Sequence, residues 1–214
     1  MKSFFELQKK KRLRQKGQKL LVKGKIEKAY SIFQRDVLLD DSHENLFNLA
    51  LALMSLHKYP EAEEYLQKVY EKLPSNEMNL LTLAECSMMQ QKWEQAIKLY
   101  EELSAYNPRN ESYQNYLNLS QDIVAREKYV KSKQLFNAAA RELTKKNDEK
   151  ALKILLEAEE YYPENPNILN NIGSIFLLLK QYKQAYDYFI RAMRFDANNL
   201  KIKKNVLIAR KKLK

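Results

Sequence analysis

Glycine and proline are scarce in this chain, with 3 and 5 in 214 residues. Strand-and-turn folds need turn residues at short intervals, and no Asn-Gly, Asp-Gly or Gly-Gly pair occurs anywhere, so the composition favours helices. A single cysteine, Cys86, excludes a disulfide within the chain. The two histidines, His43 and His57, have no cysteine partners at zinc spacing, so no protein metal site is expected. Apolar runs such as Ile175 to Leu179 are far too short to span a bilayer. The basic stretch from Met1 to Leu13 lacks the apolar core of a secretory signal. The expectation is a soluble, cytoplasmic protein whose basic ends are compatible with peripheral membrane association. Catalytic motifs are also missing. There is no Gly-rich phosphate loop, paired-His motif, Cys-x-x-Cys or Gly-x-Ser-x-Gly, so neither a catalytic residue nor a cofactor is expected. The adjacent carboxylates Glu63/Glu64, Glu101/Glu102 and Glu159/Glu160 read as solvated helix faces, and Cys86 as a buried structural thiol.

Charge is abundant and uneven. The net charge is +11. Residues 1–28 carry eleven Lys or Arg against Glu6 and Glu27, and residues 200–214 carry seven basic residues and no acid. Two basic ends therefore flank a mildly acidic body.

That body repeats itself. Ala29, Ala62, Ala96, Ala151 and Ala185 open similar helical stretches at separations of 33, 34, 55 and 34. Twelve places before each stands a small residue: Gly17, Ala50, Ala84, Ala139 or Gly173. Four places earlier again is a leucine: Leu13, Leu46, Leu80, Leu135 or Leu169. Four places after each alanine is a large apolar residue: Phe33, Leu66, Tyr100, Leu155 or Phe189. Pro74, Pro108 and Pro163 close three of the five units. Spacings of three and four keep these residues on one helical stripe. The small residues let two antiparallel helices approach closely, and neighbouring pairs must stack to bury the rest.

These segments resemble the tetratricopeptide repeat family, over roughly residues 10–199 and in five units near the 34-residue period. The resemblance rests on Leu83-Ala84, Lys92-Trp93-Glu94-Gln95-Ala96, Tyr100 and Asn107-Pro108, and on Ile172-Gly173, Gln181-Tyr182-Lys183-Gln184-Ala185 and Phe189. It departs where leucine replaces the family's tryptophan early in each first helix. The resemblance implies an all-α fold, a right-handed α-solenoid of about five stacked antiparallel helix pairs. The expected organisation is a basic start and units one to three over 1–110, an inserted helix over 111–131, units four and five over 132–199, and a basic capping helix over 200–214. The insert carries Tyr113, Tyr116, Leu117, Ile123 and Val124 at helical spacing. It is either a separate helix, broken within Arg126 to Lys133, or continuous with the helix from Ser132 to Lys145. The cap has Leu200, Val206, Leu207 and Leu213 as candidate buried residues.

The family resemblance implies a non-catalytic interaction adaptor, with the first helix of each unit lining a groove for a peptide or amphipathic helix of a partner protein. Carried onto this chain, the groove comprises Phe47, Leu51, Met54 and Met78, then Leu81, Glu85, Met88 and Met89. It is apolar and rich in adaptable methionine. In the later units the candidates are Asn167, Asn170, Asn171 and Ser174. Some family members grip a carboxylate with five basic and amide residues. Arg14, Gln18 and Asn48 match three of those places, but Met78 and Thr82 stand at the other two, so the clamp is incomplete. A second reading rests on the basic cluster Lys9, Lys10, Lys11, Arg12, Arg14 and Lys16, which suits nucleic acid or an anionic membrane surface.

Overall fold

The computed structural model describes residues 2–213, with side chains in the first helix described for Gln8 and from Lys11 onward. Among the described residues there are twelve helices and no strand. The chain divides into two compact units, residues 1–123 and 124–214. The first holds α1 (Lys2–Val22), α2 (Ile26–Leu39), α3 (His43–Ser55), α4 (Tyr59–Lys72), α5 (Glu77–Met89), α6 (Trp93–Tyr106) and α7 (Glu111–Gln121). The second holds α8 (Ile123–Thr144), α9 (Asp148–Tyr161), α10 (Pro166–Leu178), α11 (Tyr182–Phe195) and α12 (Leu200–Lys212). Inside each unit, helices pack on their chain neighbours, as a stack of helix pairs requires.

The repeated small residues are the points of closest approach. Ala29, Ala62, Ala96, Ala151 and Ala185 are all fully buried, as are Ala50, Ala84 and Ala139. The glycines in the same place have a more specific cause. A Cβ on Gly17 would lie 2.5 Å from the Phe33 ring, and one on Gly173 would lie 2.8 Å from Phe189 and 3.2 Å from the Ala185 carbonyl. The third repeat combines Ala84 with Tyr100, so these glycines answer to how the two phenylalanine rings are seated rather than to an aromatic as such. Leu46, Leu80 and Leu169 are buried, but Leu13 and Leu135 are only partly so. Both lie on the opening helix of a unit, which has no helix pair before it within that unit.

Each of the five pairs turns in the same way. Gly24, His57, Gln91, Lys146 and Lys180 take positive φ of 59 to 70°, at the same separations as the repeat alanines. In the first turn Gly24 N–H donates to Leu21 C=O and Lys25 N–H to Leu20 C=O, both at 2.9 Å; the other four turns repeat this pattern. It is the double hydrogen bond that closes a helix through a left-handed residue. Only the first turn uses glycine; the other four accept a strain of ~1–2 kcal/mol each. Asparagine then starts the following unit's helix. Asn76, Asn110, Asn165 and Asn199 each accept backbone N–H groups of the helix they precede.

The segment 111–131 is not one inserted helix. α7 ends at Gln121, and α8 runs unbroken from Ile123 through the stretch expected to begin at Ser132. The break falls at Asp122, not within Arg126 to Lys133. α7 packs on α6, with Tyr113, Leu117 and Ser120 buried. Tyr116 stacks on Tyr100, and Tyr113 Oη donates to Glu77 at 2.7 Å. It is a cap on the first unit, built like the cap on the second. The buried residues of α7 lie three, seven and ten places after Asn110; those of α12, Ile202, Val206 and Ala209, lie three, seven and ten after Asn199. The apolar face expected for α12 is corrected accordingly. Val206 is buried, but Leu200, Leu207 and Leu213 are 79%, 65% and 46% exposed, because the face turned to α11 follows the 202–206–209 stripe.

Of the carboxylate pairs that read as solvated, Glu64, Glu101 and Glu160 are exposed, but the other member of each pair is a tie between helices. Glu63 accepts from Gln90 at 2.7 Å and from Gln95 at 3.0 Å, and pairs with Lys92. Burial works against its charge, but those three partners win and hold its carboxyl below the ordinary range. Glu159 takes Tyr188 Oη and Arg191, and Glu102 takes Tyr70 Oη. Asp36 is the exception. It fills the core position held elsewhere by Val69, Leu103, Ala158 and Ala192, and its Oδ2 has no hydrogen-bond partner among the described residues. Burial pushes its carboxyl up against the pull of Arg14 and Arg35.

Two consequences can be measured. Gly173→Ala should cost ~1–3 kcal/mol in urea unfolding by forcing Phe189 off its seat, and adding Phe189→Leu should recover part of the loss. Glu142, on the last turn of α8, accepts from Asn147 at 2.8 Å and Lys145 at 3.1 Å, which hold its carboxyl down at about 2. Its contribution is complete above the ordinary glutamate value and is lost as pH falls through the folded value of about 2. Unfolding midpoints measured from neutral to acid pH should therefore fall less steeply in Glu142→Gln than in the parent.

Candidate functional site

α1, α3 and α5 are the first helices of three successive repeats, so equivalent positions recur on each. Together with the end of α4 they line an open cavity of about 430 Å³. Leu21 and Val22 come from α1, Phe47 and Leu51 from α3, and Met78 from the first turn of α5. Val22 and Met78 are 89% and 62% exposed, while Phe47 and Leu51 are partly buried. Polar residues of the wall are already engaged. Gln18 Nε2 donates to Asn48 Oδ1 at 3.1 Å, and Asn48 Nδ2 donates to Glu44 C=O at 2.7 Å. Arg14 lies 3.5 Å from the Glu44 carboxylate. The three residues matching a carboxylate clamp are thus occupied within the protein, and Glu44 would repel an anionic ligand. Thr82 is buried, with its hydroxyl donating to Met78 C=O at 2.7 Å. Apolar side chains are left as the available surface.

Of the sequence-derived groove residues, the cavity gathers Phe47, Leu51 and Met78. Met54, Leu81 and Glu85 are partly buried on the same helices but do not line it. Met88 is not a groove residue. It is fully buried, and Met89 nearly so. Nine of the thirteen residues of α5 are buried, because α4 and α6 both pack on it and leave it no free side at Met88. The walls missed by sequence reasoning are Leu21 and Val22. The repeat spacing could have found Leu21, which precedes Met54 by 33 residues, but not Val22, whose counterpart is Ser55.

In the second unit Asn170 is corrected in the same way. It is 4% exposed and accepts from Asn205 Nδ2 at 2.8 Å, so the cap helix α12 consumes it. Ser174 donates to the Asn170 carbonyl at 2.8 Å. Asn167 is exposed and Asn171 partly so. At the basic end, Lys11, Arg12 and Lys16 are exposed on α1, and Arg14 is the one engaged with Glu44. The side chains of Lys9 and Lys10 lie outside the described residues.

Cys86 is fully buried, and its Sγ–H donates to Tyr59 C=O at 3.2 Å. Burial pushes the thiol up to about 12, so it holds no thiolate at neutral pH. Among the described residues no His, Cys, Asp or Glu group is placed to hold a metal ion, and no helix is long and apolar enough to cross a membrane. Cys86 should react with an aromatic disulfide reagent at the rate of unfolding in native buffer and at once in denaturant. Fast native labelling would place the thiol at the surface.

Family models of the tetratricopeptide repeat match residues 53–118 and 166–199. The BBSome complex member BBS4 of Bos taurus is 24% identical over 184 residues, which is 84% of this chain and 31% of that protein. The chain therefore spans about a third of that relative's length. Among solved structures, TTC0263, a thermophilic TPR protein in Thermus thermophilus, is 16% identical, with a TM-score of 0.47 over 94% of this chain and 98% of its own. The TPR2AB-domain:pHSP90 complex of yeast Sti1 is 15% identical, with a TM-score of 0.48 over 96% and 84%.

Proposed function

We propose that this chain, a member of the tetratricopeptide repeat family, is a non-catalytic adaptor that holds an apolar segment of a partner protein in the groove of its first unit. Tetratricopeptide domains typically bind proteins and are in general non-catalytic scaffolds. The relative BBS4 is by name a member of a complex, and an assembly role for this chain is in keeping with that.

The observation that carries the proposal is the character of the cavity wall. Phe47, Leu51, Leu21, Val22 and Met78 face a common space, while the amides beside them bond to one another. Apolar surface gathered in a concave site gains by being covered. An amphipathic helix would place residues at spacings of three and four against Phe47 and Met78. Glu44 on the same wall favours a segment without negative charge at that end.

Peptides selected from a display library on the intact chain should lose about 30-fold in affinity, or ~2 kcal/mol, on Phe47→Ala. Met78→Glu should do the same and leave the fold intact, because Met78 is exposed. Asn167→Ala, in the other unit, should change nothing. Selected peptides that bind Met78→Glu as tightly as the parent would overturn the groove reading.

A further inference from the structure

α12 closes the second unit through Ile202, Val206 and Ala209, and its opposite face is built for something other than another repeat. In a helix that receives a partner within its repeat, a leucine stands four places and a small residue eight places after the capping asparagine. These are Leu80 and Ala84 after Asn76, and Leu169 and Gly173 after Asn165. In α12 the same places hold Lys203 and Leu207. A lysine and a full-sized leucine there forbid the close approach that Ala84 and Gly173 permit. A further helix pair, from this chain or a second copy, therefore has no seat of that kind on α12.

The other cap, α7, shows that the two places need not carry lysine and leucine. In α7 the two places are Gln114 and Asn118, which bond to each other at 2.8 Å. Beyond Glu111 in its first turn, the exposed residues there, Ser112, Asn115 and Gln121 among them, are polar and uncharged. α12 differs in both charge and apolarity. It carries Lys201, Lys203, Lys204, Arg210, Lys211 and Lys212 with no acid. It also exposes Leu200 at 79%, Leu207 at 65% and Ile208 at 37%. Leu200, Lys204, Leu207 and Lys211 follow one another at spacings of four, three and four, so leucine and lysine alternate along one line of the helix.

That alternation selects the occupant. A partner helix needs an unbroken apolar seam, and Lys204 and Lys211 interrupt this one. Nucleic acid would use the lysines and leave the leucines in water. A bilayer surface uses both, because lysine stems lie along apolar surface and lift their ammonium groups to phosphates while the leucines enter the interface. The absence of any acid within α12 requires that surface to be anionic. We propose that the outer face of α12 binds the headgroup layer of an anionic phospholipid membrane. This proposal is independent of the groove in the first unit.

The test is co-sedimentation of the full chain with vesicles of phosphatidylcholine alone and of phosphatidylcholine with phosphatidylserine. Binding is expected only to the second, weakening as salt rises. The double variant Leu200→Ser with Leu207→Ser should bind roughly tenfold or more weakly, and so should Lys204→Gln with Lys211→Gln. All four side chains are exposed, and unchanged unfolding midpoints would show that each variant is folded. A leucine variant that binds as well as the parent would reduce the interaction to charge alone and overturn the proposal. Failure of the parent to bind phosphatidylserine vesicles would also overturn it. So would capture of single-stranded nucleic acid that competes fully with vesicles and ignores the leucine change.

Discussion

Close approach between two helices at a small residue is the constraint from which the rest follows. Wherever Ala50, Ala84, Ala139, Gly17 or Gly173 faces the next helix, the backbones come near enough for Phe33, Leu66, Tyr100, Leu155 or Phe189 to fill the remaining space completely. That packing is worth little for one pair alone, since the outer side of each second helix still carries apolar residues. Burying them takes the next pair, and the stack continues until a helix ends it. The recurrent left-handed turn and the asparagine caps serve the same geometry, because each pair must turn back within a few residues and begin again in register.

Ending a stack is a separate problem, and the chain solves it twice. α7 and α12 use the same buried register after the same asparagine cap, yet their outer faces have diverged. One presents amides and hydroxyls; the other presents lysine and exposed leucine. A cap needs only its inner face to terminate the core, so the outer face is free to acquire another role. The groove of the first unit shows a comparable division. Amides that could have met a ligand's carboxylate are spent on one another, and the surface left over is apolar.

The repeat, its period and its small residues were legible in the sequence because each is set by local spacing. A stripe at three and four defines a helix face, and a small residue at a fixed distance from an alanine defines a crossing point. The groove was partly legible. Phe47, Leu51 and Met78 follow from position within the repeat, but Met88, the counterpart of Met54, and Asn170, the counterpart of Phe47, were read in the same way and are buried. Their fate depends on what packs over them, α4 and α6 around α5 and Asn205 of α12 against Asn170. One glutamate of each pair misled for the same reason, since a carboxylate such as Glu63 looks solvated until Gln90, Lys92 and Gln95 from another repeat are set beside it, while Glu64, Glu101 and Glu160 are exposed.

By itself, then, the sequence determined the all-helical class, the five helix pairs, the two basic ends and the residues at which helices touch. Tertiary structure alone decided that 111–131 splits at Asp122 into a cap and the start of a new unit, and that α12 turns Ile202 inward and Leu200 and Leu207 out. Helix periodicity tells which residues share a face, but a face acquires an inside only when another helix lies against it.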